Sequence, residues 1–176
     1  MKRICAFFFL ACFLLISGCS SGGKALKAED IDFVFSCKID VASQDGNYTC
    51  AFERVGRRDE TVEILSGSGK GLKWYWRGNG FHQTYLGLSV ENETCVLPDK
   101  SFASTLVNAL DCAEQPGTLR SIGHNIFSGS MDGGSFTITA DGDTGEIREF
   151  SMSERNLKIT FHDFKEPDDS SNSKAA

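Results

Sequence analysis

Cysteine is the residue type with the widest range of possible chemistry in this chain of 176 residues. Its seven copies fall into three groups. Cys5 and Cys12 lie in an apolar run near the N-terminus, and Cys19 follows the small residues Ser17 and Gly18. The other four lie in the remainder of the chain. A thiol can accept an acyl group, form a disulfide or bind a metal. Each group therefore needs its own interpretation.

The first 18 residues have the order of parts of a secretory signal peptide. Lys2 and Arg3 precede an unbroken apolar run over residues 4–16. These 13 residues are fewer than the roughly 20 that a membrane-spanning helix needs. We therefore predict an export signal over residues 1–18 and not a membrane span.

The tetrapeptide Ile16-Ser17-Gly18-Cys19 resembles the bacterial lipobox, in which the cysteine receives a diacylglycerol and the signal is cleaved before it. An ordinary signal peptide with a chance cysteine is the alternative, but the polar spacer over 20–23 favours the lipobox. Two or more acyl chains, of the palmitate type, anchor a protein stably. The prediction is a lipoprotein held by Cys19 at the extracytoplasmic face of a cell membrane.

The remaining cysteines are Cys37, Cys50, Cys95 and Cys112. Four thiols in an exported domain are typical of two disulfides. Of the three connectivities we favour Cys37–Cys50 with Cys95–Cys112, because the first pair falls on one face of two predicted hairpin strands. A metal site is the alternative, but the C-x-x-C spacing and a neighbouring histidine are missing. We predict neither a metal nor a cofactor.

No catalytic motif is complete in the sequence. His82, His124 and His162 are far apart, each on or beside a predicted strand. The glycine-rich stretch over 67–71 lacks the spacing of a phosphate-binding loop, and 141–152 lacks calcium ligands at its fifth and twelfth positions. We therefore predict that the protein is not an enzyme.

Alternation of apolar and polar residues predicts antiparallel strands over most of residues 31–164. The first run places apolar residues on the odd positions over 31–41, and Asp45-Gly46-Asn47 predicts a turn into a second strand. Further strands are predicted over 62–65, 72–76, 81–90, 118–122, 124–131, 135–140, 146–152 and 156–164.

One helix interrupts this pattern. After Pro98, the residues Phe102, Leu106 and Leu110 form a single apolar stripe, with Asp99 as the predicted N-cap and Pro116 beyond the end. One helix of roughly 20 Å cannot cover the apolar face of about ten strands. We therefore predict a mainly β (α+β) fold, a curled antiparallel half-barrel with the central helix plugging its concave face.

The predicted organisation is a lipidated cysteine and short linker over 19–30, a half-barrel domain over 31–164 and a disordered tail over 165–176. Loss of the signal peptide would change the formal charge from −6 to near −8. A negative net charge argues against nucleic acid as a partner and against binding of anionic lipids by a polybasic segment. The acyl anchor would provide the membrane attachment.

Five tracts of the sequence resemble the LolA/LppX-like lipoprotein superfamily in order and spacing. They are Tyr85-Leu86-Gly87-Leu88-Ser89-Val90, Leu97-Pro98 with the helix start Ser101-Phe102-Ala103, 129–136, Asp143-Thr144-Gly145 and 157–164. The resemblance implies an incomplete antiparallel barrel with helices over its mouth and an apolar cavity. Anchored GerS-like relatives imply another use, as partners of cell-wall enzymes.

The resemblance leaves two functions open. The first is binding of an acyl chain or another apolar ligand, with Trp74, Trp76, Phe81, Phe102 and Leu106 as candidate cavity residues. The alternative for these residues is plain core packing. The second function is a non-catalytic scaffold for a cell-envelope enzyme or another surface protein. A permanent tether argues against a freely diffusing carrier in either case.

Overall fold

The computed structural model of the chain describes residues 25–165. The predicted signal peptide, Cys19 and residues 166–176 of the predicted tail lie outside the described residues. Within 25–165, no helix is both long enough and apolar enough to cross a membrane.

The described chain forms eleven strands, one α-helix and two short 3₁₀ turns. The helix, α1, spans Phe102–Ala113, and the 3₁₀ turns span Ala28–Asp30 and Ser153–Arg155. The strands are β1 (Phe35–Ser43), β2 (Gly46–Gly56), β3 (Asp59–Ser66), β4 (Lys73–Arg77), β5 (Gly80–Tyr85), β6 (Leu88–Asn92), β7 (Arg120–Gly123), β8 (Ile126–Met131), β9 (Gly134–Ala140), β10 (Ile147–Met152) and β11 (Leu157–Lys165).

All eleven strands belong to one antiparallel sheet in the order β6-β5-β4-β3-β2-β1-β11-β10-β9-β8-β7. The first and last strands of the chain, β1 and β11, lie side by side at its centre. Strands β6 and β7 are its two edges and do not pair with each other. The sheet is therefore open, and the predicted half-barrel of mainly β class is confirmed.

The predicted alternation sets which face of the sheet is apolar. Along 31–41 the odd positions are buried, whereas Val34 on an even position is 42% exposed. Ile31 and Phe33 are buried before β1 begins, and Asp32 bridges to Glu146. The apolar face is continuous from the segment before β1 into the centre of the sheet.

The sheet curls around α1. The ring of Phe102 contacts Trp74 on β4, with 5.9 Å between ring centroids, while the thiol of Cys112 donates to the carbonyl of Ser130 on β8. Seven steps in the strand order separate β4 from β8, roughly 34 Å in a flat sheet at about 4.8 Å per step. Phe102 and Cys112 are only about 15 Å apart along the helix, so both contacts require the sheet to bend toward it.

The helix begins two residues later than the predicted cap implies. Ser101, and not Asp99, is the N-cap, and its hydroxyl oxygen accepts a hydrogen bond from the Ser104 amide at 3.2 Å. Its short side chain satisfies one of the free amides of the first turn. Nine of the twelve helical residues are buried, so α1 is enclosed on most of its circumference.

Three boundaries differ from the predictions. The single strand predicted over 81–90 is split into β5 and β6, because Leu86 and Gly87 both have positive φ, 50° and 81°, and form a tight turn. The linker also docks earlier than predicted, since the Leu26 amide donates to the Asn125 side chain at 3.2 Å. At the other end β11 continues to Lys165.

Candidate functional site: the concave face and its helix

The five predicted cavity residues all lie on the concave face or on the helix that fills it. Trp74, Trp76 and Phe81 are 7%, 6% and 2% exposed, and Phe102 and Leu106 are 8% and 0% exposed. Trp76 and Phe81 pack edge to face, with 5.2 Å between ring centroids. The structure brings these residues together as one packed core. Their role toward a ligand stays a prediction.

Two recesses open to solvent reach members of this set. One, of about 510 Å³, is lined by Trp76 together with Arg58 and Asp111. The other, of about 460 Å³, is lined by Phe102 together with Lys100 and Glu154. Charged groups in both walls make these recesses less suitable for an acyl chain, because an apolar ligand would desolvate them.

The apolar concave face continues past the helix onto the edge of the sheet. Gln83, whose side chain accepts a hydrogen bond from Trp74 at 3.1 Å, pairs with Val90, and Tyr85 pairs with Leu88. Directly paired residues share a face, so Val90 and Leu88 belong to the same face as Trp74. They are 55% and 73% exposed. We call Tyr85, Leu88 and Val90 the open rim.

The open rim was not among the predicted site residues. The sequence analysis treated 81–90 as one strand, in which positions 85, 88 and 90 cannot all face the same side. The turn at Leu86 and Gly87 changes the register and brings them together. Gly87, in the interior of the predicted strand over 81–90, is the signal that could have indicated the turn.

A buried arginine fastens the C-terminal end of α1 to the sheet. Arg54 on β2 is 1% exposed and forms an ion pair with Glu60 on β3, which is fully buried. The same guanidinium donates to Asp111 at 3.1 Å and to Glu114 at 2.7 Å, at the end of the helix. Carboxylates at a helix C-terminus are unfavourable with respect to its dipole, and Arg54 offsets that repulsion.

The charge balance of this cluster changes the titration of Glu60. Burial raises the pKa of Glu60 to about 8, with the Asp111 carboxylate adding to the rise and the Arg54 guanidinium opposing it. The ionised form of Glu60 is therefore less favoured in this cluster than that of a glutamate in water, although Arg54 lies against it.

A second arginine fastens the other end of α1. Arg155, in the 3₁₀ turn before β11, donates to the hydroxyl of Thr105 at 2.6 Å and to the carbonyl of Asp99. The helix is thus held to the sheet by a guanidinium near each end, in addition to its apolar contacts. This arrangement favours a fixed element over a freely moving cover.

The predicted disulfides are not present in the structure, in which all four cysteines of the described chain are free thiols. Cys37 is paired with Phe52, and Cys50 with Ile39. The two cysteines are therefore diagonal neighbours, roughly 7–8 Å apart, beyond the usual Cα separation of a disulfide. They share a face, as predicted, but with an offset of two residues.

The second predicted pair, Cys95 and Cys112, is separated along the helix. The Cys95 sulfur lies 3.8 Å from the Ser104 hydroxyl, near the start of α1. Cys112 is eight residues further along and contacts Ser130. Eight residues of helix correspond to about 12 Å, so the two thiols lie at different places on the domain.

The histidines of the described chain lie apart from one another in the sheet, and His82 and His162 each lie beside a different polar partner. His82 contacts the Ser89 hydroxyl at 2.6 Å, and His162 lies 3.1 Å from Asp40. Burial raises the pKa of both Cys37 and Cys50 to about 12, which makes them poor nucleophiles and poor ligands. Residues 25–165 contain no cluster of three or more potential metal ligands.

Comparisons with known proteins find similarity among solved structures only. No family model matches the chain, and no curated protein matches it. Among solved structures, a LolA superfamily protein from Nitrosomonas europaea is similar over 82% of this chain and 92% of its own, with 11% identity and a TM-score of 0.43. Membership of the LolA superfamily stays a prediction from the sequence.

Proposed function

We propose that this chain is a membrane-anchored extracytoplasmic bacterial lipoprotein of LolA-like type that binds an acyl chain or another apolar ligand without catalysing a reaction. Cys19 is the anchor. The open rim, and not the interior beneath α1, is the binding surface on the described domain.

One observation carries this proposal: the apolar concave face extends beyond the helix that fills it. Leu88 and Val90 are mostly exposed although they share a face with a buried tryptophan. Exposed apolar residues that continue a core face are typical of binding surfaces. The packed state of Trp74, Phe102 and Leu106 leaves the rim as the accessible part of that face.

The test is displacement of a fluorescent fatty acid from protein lacking residues 1–19. We expect Val90→Asp to weaken binding at least about tenfold, or about 1.4 kcal/mol, because a carboxylate would be desolvated by the ligand. Val55→Asp is the matched control, since Val55 is 48% exposed on the opposite face. Equal affinities of the two variants, or no uptake by the native domain, would contradict the proposal.

A scaffold for a cell-envelope protein is the second candidate, and the hairpin tip favours it. Leu86 is 80% exposed, at the turn that leads into the free edge strand β6. A free edge with an apolar tip can receive a strand from another protein. Cross-linking in cells with Leu86→Asp against Val55→Asp tests this role: a scaffold should lose one stoichiometric protein partner in the first variant only.

A further inference from the structure

A groove distinct from the open rim lies where the N-terminal segment crosses the end of the helix. Its volume is about 610 Å³, within the range of pockets that bind small ligands. The groove is formed by three parts of the chain: the segment before β1, the C-terminal end of α1 and the loop that leads to β7. We call it the N-terminal groove.

The walls of the N-terminal groove are mainly apolar. Ile31, Phe33 and Ala113 line it and are 7%, 8% and 5% exposed, so they form a floor fixed in the core. Val34 is 42% exposed and also lines the groove, as does the partly buried Leu119. A groove with an apolar floor and apolar exposed side chains at its edge is suited to an alkyl chain.

The charges of the groove restrict the chemistry of its ligand. Its charged lining residues are Glu29 and Glu114, both carboxylates. Glu114 is bound by Arg54 at 2.7 Å, and Glu29 by Lys27 at 3.0 Å. Since no cation of residues 25–165 lines the groove, an anionic headgroup would gain no partner from the described domain. A neutral or zwitterionic lipid is the better match.

The position of the groove relative to the proposed anchor indicates where its ligand comes from. Ala28 lines the groove, and the chain is already fixed to the domain at Leu26. The seven residues from Cys19 to Leu26 can span at most roughly 25 Å. If Cys19 is lipidated, the groove is therefore held close to the bilayer surface.

We propose that the N-terminal groove takes one acyl chain of a neutral or zwitterionic lipid from the membrane to which the protein is anchored. This inference rests on the anchoring part of the proposed function. A single acyl chain gives only marginal attachment, so the groove contact would orient the half-barrel on the bilayer, while Cys19 holds it there.

The experiment uses the full lipidated protein in phosphatidylcholine vesicles that contain a phosphatidylcholine with a photoactivatable diazirine in one acyl chain. Peptide mapping after illumination should find label in residues 31–34 and 113–119. Val34→Asp should reduce this labelling about tenfold relative to Val55→Asp, a valine of similar exposure that does not line the groove. Leu119→Glu is the second variant, should Val34→Asp not fold. Added phosphatidylglycerol should not increase the labelling.

The alternatives give distinct results. Equal labelling of both valine variants would overturn the proposal. Cross-links from residues 20–24 into the groove in place of lipid would also overturn it, because they would show that the protein's own linker occupies the groove. Label confined to Leu88 and Val90 would overturn it while leaving the proposed function intact. Protein that does not remain with the vesicles at all would refute the anchoring on which both rest.

Discussion

Arg54 is a buried cation that contacts three carboxyl groups of the described domain. Its guanidinium is enclosed among three carboxylates from β3 and α1, and it joins the helix to the sheet. Removing one member of a buried ion cluster leaves uncompensated buried charge. The attachment of the helix should therefore depend on this one side chain.

We expect Arg54→Met to lower the free energy of unfolding by about 3–5 kcal/mol, measured by urea denaturation. The matched control is Arg77→Met, because Arg77 also pairs with a carboxylate, Asp59, but is 56% exposed. Exposed pairs contribute about 0–1 kcal/mol. Similar losses in both variants would show that the buried cluster does not secure the fold.

The raised pKa of Glu60 predicts a pH dependence of stability. A carboxyl whose pKa rises on folding, here to about 8, stabilises the folded state at low pH and loses that contribution as the pH increases to 8. Stability should therefore fall between about pH 4.5 and 8 by up to about 1.4 kcal/mol per pH unit, the limit for one proton. Arg54 contacts the group, and the carboxylates of Asp111 and Glu114 bind the same guanidinium.

Glu60→Gln tests this dependence, because glutamine keeps the shape of the protonated acid and does not titrate. Its unfolding free energy should vary less with pH than that of the native protein. Glu63→Gln is the control, since Glu63 is a partly exposed carboxylate on the same strand, 3.4 Å from Lys73. Parallel pH profiles for the native protein and Glu60→Gln would contradict the raised pKa.

The cysteine geometry predicts free thiols in the purified domain. Alkylation in denaturant without a reductant should add four groups to Cys37, Cys50, Cys95 and Cys112, as read by intact mass spectrometry. In the folded state Cys37 and Cys50 should react slowly, because both are buried and largely protonated. A mass unchanged by alkylation would restore the disulfide interpretation.

At the scale of elements, sequence periodicity predicted which residues face the core but not which contacts they make. The even positions of β2 and β3 include Cys50 and Phe52, and Val62 and Ile64, all buried as the alternation requires. Arg54 and Glu60 fall on the same positions, so the pattern contained the signal for a buried charge pair. The participation of the helix end, however, depends on the curl of the sheet.

The helix was predictable from its apolar stripe, whereas its degree of burial was not. Leu106 on α1 is fully buried, while Leu88 on β6 is 73% exposed, although each lies in an apolar pattern. Leu106 is enclosed by the curled sheet, whereas Leu88 lies on the edge strand, beyond the part of the concave face that the helix covers. Leucine rarely adopts positive φ, so Gly87 alone indicated the turn that places Leu88 on that face.

We expect Leu106→Ala to lower the free energy of unfolding by about 2–5 kcal/mol, as for other buried leucines. The same substitution at Leu88 should change it by no more than about 0.5 kcal/mol. Thermal or urea unfolding of the two variants measures the difference. Comparable losses would show that the rim is packed in solution and is not an open surface.

At the scale of the molecule, the proposed sites lie at different ends of the strands. The chain enters β1 at one end of the strands, and the N-terminal groove lies there. The turn at Leu86 and Gly87 lies at the opposite end, together with the turn between β1 and β2. An anchor at Cys19 would place the first end toward the bilayer. The open rim and its hairpin tip would then remain accessible to a ligand or a protein partner.

Anchoring at Cys19 would set the membrane environment of both proposed sites. The most direct measurement is the intact mass of the protein extracted from the membrane fraction of the bacteria that produce it. We expect a chain that begins at Cys19 and carries the mass of a diacylglyceryl group, with Cys19→Ser lost from that fraction. A mature chain without a lipid on Cys19, or one that begins at another residue, would contradict it.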